Sequence, residues 1–515
     1  MAPIACAATW QVGPSRTYKT PNAVVNLVAN SDTIAIDAAT YTNDYVNTWA
    51  KNNLTLCGVG GRPILLSTYQ PPNLKAIWVI SGTNTTVENV EFTGARLSST
   101  NGGNGAGIRQ QADTLTLRNC SFHDNNDGIL VDTSATSDIL IDSCEFYNNG
   151  YTNTADNPNE KYVGYAHNMY IGQVRTFTIR YSYSHASIGQ GHLLKSRALT
   201  NYILYSRLTE ESNGNASYEV NLPQGGLSFV VGNLIEKGAN AANHGRIIDY
   251  SDEGTKNPIQ NLYLANNTIV NDYGGSPFFV WIDSSAPSPS GKAVNNLFIG
   301  NGTLSNGVGT AVFTNNLALT YAQRTQLVNC ASYDYHLIPF AAAIDKGVSP
   351  GVYSNFDLTP VSEYVHPSTC GVRQVEAALD QGAYECTDAN GDGIEDNWQR
   401  HYFGSLTNAL AAPNAYPGGN GFTTRQDYLA GLDPTNANSR LAIQAIEATS
   451  GGIAVNWLGG TSVWQYVETR QNLSNAAEAW QVIYTNAPTL QSTNRALLGG
   501  LTNQTLFFRI SAGQP

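Results

Sequence analysis

The chain has 515 residues, of which 13% are charged, with 48 glycines, 28 tyrosines and a net charge of −12. That length leaves room for several domains and a large core, and the low charge and many β-formers exclude a disordered or mainly helical protein. The acidic balance argues against nucleic acid as a partner, and no apolar run of about 18 residues is present to span a membrane.

The amino terminus, MAPIACAATW, shows neither a basic segment nor a long apolar one, so no signal peptide is visible. TPNAVVNLVAN (20–30) reads as a short amphipathic helix covering the open end of a solenoid. From there to about residue 320 the chain repeats itself. NNLTLCGVGGRPIL, KAIWVIS, TTVENVEFTGARL, DTLTLRNCSFHDNNDGILVD and SDILIDSCEFYNN carry short β-rich runs punctuated by Asn and Gly turns. An Asn recurs before the third run, at a corner that tolerates left-handed backbone. Cys120 and Cys144 hold matching places in adjacent repeats and should stack as buried thiols, whereas Cys370 and Cys386 are the better candidates for a disulfide.

The period breaks at an insertion, GYTNTADNPNEKYVGYA (150–166), the expected wall of a cleft. Beyond it come HNMYIG (167–172), GHLLKSRA (191–198), NASYEVNL (215–222) and HGRIIDYSDE (244–253). Their spacing of roughly 24 to 30 residues fits one coil per repeat, with equivalent positions about 4.8 Å apart. The expected fold is all-β: a parallel β-helix over residues 1–386, a calcium-loop helical linker over 387–437, and a β-sandwich of fibronectin type III kind over 438–515.

Aligning the four segments by their apolar residues puts Tyr170, Lys195, Glu219 and Asp249 in one file, with His192, Arg197, Asn221 and Arg246 beside it. Removing a proton next to a carboxylate needs a base, a cation to neutralise the carboxylate, and an acid for the leaving oxygen. Lys195 would be the base, Arg197 or Arg246 the neutraliser, and Tyr170 or His192 the acid. Paired carboxylates Glu219 and Asp249 suit glycoside hydrolysis instead. A surface ladder of ion pairs, with no chemistry at all, is the third reading. Asn168, Asn221, His167 and His244 are candidate substrate contacts. The histidine spacing matches no compact zinc pattern.

DANGDGIED (388–396) is the most specific motif. Asp388, Asn390, Asp392, the Ile394 carbonyl and Asp396 stand at calcium-loop positions around the turn at Gly393, with Gln399 where a bidentate acid is usual. A second half, YPGGNGFTTRQDYLAGLDP, keeps Asn420, Gly421 and Asp427 and reads as a degenerate loop.

GPSRTYKTPNAVVNLVANSDTIAIDAATY, the repeats with NVEF, NCSF and CEFYNN, and the closing LDQGAYE together resemble right-handed parallel β-helix proteins of the pectate-lyase-like superfamily. GHLLKSRALTNYILYSRL resembles the Lys-Ser rung of the alginate lyase and chondroitinase B family, which implies Lys195 as catalytic base. One rung on, SYEVNL holds no Arg, and IGQGH stands where that family has a calcium-binding acidic pair. The calcium loop resembles those of dockerins and thrombospondin type 3 repeats. The resemblance implies a secreted, monomeric enzyme that cleaves a uronate polysaccharide by β-elimination or by hydrolysis. A non-catalytic glycan-binding solenoid is the rival.

Overall fold

A computed structural model describes residues 7–152, 162–283, 290–306, 310–339, 341–375, 377–461, 463–474, 477–489, 491–499 and 506–513. The chain divides into two units, one of residues 1–337 and 341–385, the other of residues 338–340 and 386–515.

In the first unit three parallel sheets run side by side. Sheet 1 has 12 strands, from Thr9–Val12 to Thr310–Thr314; sheet 2 has 11, from Thr40–Thr42 to Leu317–Leu319; sheet 3 has 10, from Val46–Trp49 to Thr303–Ser305. Each turn of the coil gives one strand to each sheet in that order, so every strand pairs with those one turn before and after it. The result is a parallel β-helix. Its sequence cause is alternation: in sheet 3, Met169, Ile171, Val220, Leu222, Ile248 and Tyr250 point inward and are buried. Phe92, Phe122 and Phe146 stack inside at 5.0 and 4.8 Å.

From the Thr85–Glu88 strand onward, the corner between sheets 1 and 2 is nearly identical in each turn. Asn89, Asn119, Ser143, Tyr181, Tyr205, Asn266, Asn295 and Asn315 hold φ between 45° and 56° there. Asn adopts this conformation at little cost because its amide bonds locally. The next residue in each turn points inward and accepts the N–H of its counterpart one turn earlier. This ladder runs through Cys120, Cys144, Ser182, Ser206, Asn233, Asn267, Asn296 and Asn316. Cys120 and Cys144 are thus buried neighbours. Cys370 is a free thiol, so the expected disulfide between Cys370 and Cys386 is not formed.

The amino-terminal helix is shorter than expected, a single 3₁₀ turn at Pro21–Val24 with Val24 and Val28 buried. A segment this short, rich in β-branched valine and Asn, lacks the propensity and length for an α-helix. At the far end the non-periodic segment lies on the outside of the coil, where Tyr353 and Phe356 pack on Tyr263, Tyr202 and Phe229.

The second unit begins with helices Asp396–Phe403 and Thr424–Leu429. It continues as two three-stranded antiparallel sheets, whose shared core holds Val455, Trp457, Val467 and Leu498. Among the described residues no helix is long and apolar enough to cross a membrane.

Candidate functional site

The outward file of sheet 3 carries the chemistry. Pairing places Arg109 beside Leu130, Leu130 beside Tyr170, Tyr170 beside Lys195, Lys195 beside Asn221, Asn221 beside Asp249, and Asp249 beside Trp281. Tyr170, Lys195 and Asp249 therefore share a file as the alternation suggests, but Asn221 takes the place expected for Glu219. The difference is a slip of two residues, which leaves every side chain on its own face and so is invisible to an inside–outside pattern. Val220 and Leu222, both fully buried, win the core positions over the half-exposed Tyr218.

At the centre, Lys195 Nζ lies 3.1 Å from Glu253 Oε1. Arg197 grips the same carboxylate as a fork, NH1 on Oε2 at 2.5 Å and NH2 on Oε1 at 2.9 Å, while its Nε donates to the Tyr170 hydroxyl at 3.0 Å. Burial alone would raise the Glu253 carboxyl, yet Arg197 and Lys195 overcome it and hold it at about 2. Beneath them His192 N–H donates to His167 Nδ1 at 3.0 Å, and the two rings stack at 4.4 Å. Burial, then the charges of His192 on His167 and of Lys195 on both, keeps these imidazoles neutral well below the ordinary histidine range. His192 Nδ1 has no hydrogen-bond partner among the described residues.

Two turns on, Asn221 Nδ2 donates to Asp249 Oδ2 at 2.9 Å, and Arg246 bonds the other oxygen of Asp249 while lying 4.4 Å over the Trp281 ring. Burial first and the neighbouring Asp252 second push the Asp249 carboxyl above the ordinary carboxylate range, against the pull of Arg246. Arg246 is therefore committed to an acidic pair. At the other end, a cavity of about 320 Å³ is lined by Asn104, Arg109, Asp132, Tyr165 and Tyr170. Tyr165 lies near the end of the insertion expected to wall the cleft; residues 153–161 of that insertion lie outside the described residues.

Other expected contacts sit elsewhere. Asn168 is fully buried in a polar chain, accepting from Asn149 Nδ2 at 3.0 Å and donating to Ser184 Oγ at 3.0 Å and His185 O at 2.9 Å. Its amide is engaged by backbone and neighbouring side chains in the interior. Glu219 is enclosed, 3.1 Å from the equally buried Lys237 Nζ, with Glu210 beside it. That placement removes the paired-carboxylate arrangement of Glu219 with Asp249. His244 is exposed at the rim, stacked on Tyr273 at 4.2 Å. Glu253, Arg109, Asp132 and Asp252 belong to the groove but were not singled out by pattern; Arg109 was readable from the register of KAIWVI on GIRQQ, whereas Glu253 arrives from a turn.

The loop at 388–396 turns at Gly393, φ 81°. The Asp388 carboxylate accepts the N–H groups of Asp392 and Gly393 at 3.1 and 2.9 Å, and Asp392 accepts that of Ile394 at 3.0 Å. Asn390 accepts the Asp392 N–H at 2.9 Å. Gln399 donates its amide to Asp392 Oδ2 at 2.8 Å, so the twelfth position presents a donor where a cation would want an acid. Arg400 approaches Asp396 at 3.5 Å. Among the described residues no three acidic, histidine or cysteine side chains converge as a metal-binding group.

A family profile for right-handed β-helix regions matches residues 67–214. The coil is a right-handed parallel β-helix. A search of curated proteins finds no match. Among solved structures the chain is similar to the pectate lyase Pel9A, at 13% identity and a TM-score of 0.47, over 74% of this chain and 97% of that one. It is also similar to an alginate lyase from Paenibacillus sp. str. FPU-7, at 12% identity and a TM-score of 0.35, over 60% of this chain and 99% of that one.

Proposed function

We propose that this protein binds an acidic polysaccharide along the outer face of sheet 3 and cleaves it by β-elimination. The observation that carries the reading is the grouping of Lys195, Arg197 and Tyr170 in one groove, with Asp249 further along the same file. Successive turns, about 4.8 Å apart, present one side chain per step to a linear chain of rings. Arg197 neutralises the carboxylate of a bound uronate, which acidifies the neighbouring C–H. Lys195, in its neutral form, takes that proton. Tyr170 then donates a proton to the departing glycosidic oxygen, so the C–O bond breaks as the ring gains its double bond. Action on a polymer outside the cell is part of the same proposal, as is weak calcium binding by Asp388, Asn390, Asp392, the Ile394 carbonyl and Asp396.

Incubation with a panel of pectic, alginate and glycosaminoglycan polymers tests the reading. Unsaturated uronate ends, seen by their ultraviolet absorbance and lost in Lys195→Ala, are the expected result. New reducing ends without that absorbance mean hydrolysis, and binding without either product means a glycan-binding solenoid.

A further inference from the structure

The groove's anion seat is already filled by the protein's own carboxylate. We propose that Glu253 stands where a substrate carboxylate would sit, between Lys195 and Arg197, and must swing away before an acidic ligand binds; this rests on the reading of the groove as a polysaccharide site.

Three features point there. The first is stereochemical: Arg197 offers both terminal nitrogens, NH1 at 2.5 Å and NH2 at 2.9 Å, and Lys195 adds a third donor at 3.1 Å. That planar fork plus a point charge is what any free carboxylate would meet. The second is layering. The side chains of Lys195 and Arg197 are 13% and 16% exposed, against 37% for Glu253, so the carboxylate forms the outer cover of two less exposed cations. The third is origin. Both cations belong to one turn of the coil, whereas Glu253 reaches back from a bend two turns later, across Asn221, which brings no charge.

The bend permits the swing. Its backbone is held by Glu253 N–H on Pro223 O at 2.8 Å and by Gly254 N–H on Ser251 O at 3.0 Å. Gly254, at φ 95°, has open space around it. The Glu253 side chain, 37% exposed, can leave by rotation about its own bonds with the backbone in place. Arg197 keeps the Tyr170 hydroxyl, and Asp252 is turned toward Arg246. A ligand bound only when Glu253 is out shows an affinity reduced by the fraction of time the seat is free.

Glu253→Gln removes the charge and keeps the shape. Calorimetry with oligogalacturonate and oligomannuronate, and with their carboxyl-reduced neutral counterparts, is compared between parent and variant, with crystals of each soaked in inorganic phosphate. The expected result is roughly tenfold or greater tightening for the carboxylated oligomers alone, since a neutral amide competes only weakly for the two cations. Phosphate at Arg197 in the variant and not in the parent, with no oligosaccharide binding by either, upholds the seat and sinks the polysaccharide reading. Equal or weaker binding of every anion by a folded Glu253→Gln, and by Glu253→Ala as a second variant, overturns the proposal: Glu253 would then be a plain structural partner of the two cations.

Discussion

Two lysine–glutamate pairs in this protein share one separation, 3.1 Å, and differ in almost everything else. Lys237 and Glu219 are wholly enclosed, while Lys195 and Glu253 lie in an open groove. Burial raises the Glu219 carboxyl despite Lys237, and the adjoining Glu210 and Glu236 are raised as well, Glu236 to about 7. In the groove the balance reverses, because water still solvates Glu253 and two cations, not one, face it. Distance alone does not fix what an ion pair does; the solvent left around it decides whether it is a structural liability or a working site.

Removing the enclosed lysine should have the largest effect. Lys237→Met strands Glu219 among two other acids and is expected to destabilise the β-helix by about 3–5 kcal/mol. Denaturant titration reads this, and adding Glu219→Gln should recover much of it. A loss below that of an ordinary surface change would mean water reaches the cluster.

The groove pair should behave in the opposite way. Lys195→Ala is expected to shift stability by less than about 1 kcal/mol, the range of exposed ion pairs, while lowering turnover by about 10²–10⁴-fold. Melting temperature and product assay on one preparation separate the two effects. A variant with full activity would leave Lys195 as a rung-holding charge only.

A third contrast is in pH. An unfolded glutamate loses its proton near 4.5, whereas Glu236 in the folded chain keeps it to about 7. The folded state binds the extra proton in that window, so this group's contribution falls as pH rises, by about 1.4 kcal/mol per unit, and is constant above it. Glu253 has the opposite sign: its contribution is present above 4.5 and is lost as pH falls toward about 2, with a size reduced by its exposure. His167 and His192, held neutral, oppose the Glu236 trend below the ordinary histidine range. The clean measurement is thus the stability difference between the parent and Glu236→Gln, which should grow in favour of the variant from pH 4.5 to 7. A flat difference would rule out the enclosed acid as its source.

Calcium should give the smallest effect. Added calcium is expected to slow proteolysis within residues 387–437 modestly and leave the β-helix transition where it is, because Gln399 replaces a bidentate acid. Identical digestion with calcium and with chelator would remove the metal from the account.

The coil itself was legible because alternation and turn residues repeat on each circuit, and the same regularity put Tyr170, Lys195 and Asp249 in line. It failed at Glu219, where a two-residue slip preserves the pattern. It failed at Asn168, whose polarity serves a corner rather than a ligand, and LIEK gives no sign that Lys237 is enclosed. Glu253 could not be read at all: its turn has no period, and only folding brings it across some 56 residues to Arg197.

The corner ladder has a consequence for how such a chain can change. From the Thr85–Glu88 strand onward, the strands of sheets 1 and 2 are separated by two residues in every turn, while the connections elsewhere vary from a few residues to an insertion beside the groove. The corner therefore acts as a fixed datum from which each circuit is measured. Its links need one acceptor atom apiece, and Cys, Ser and Asn all supply it. Length can be added or removed at the mouth of the groove without shifting the register beneath, so a new specificity could be grafted there one loop at a time.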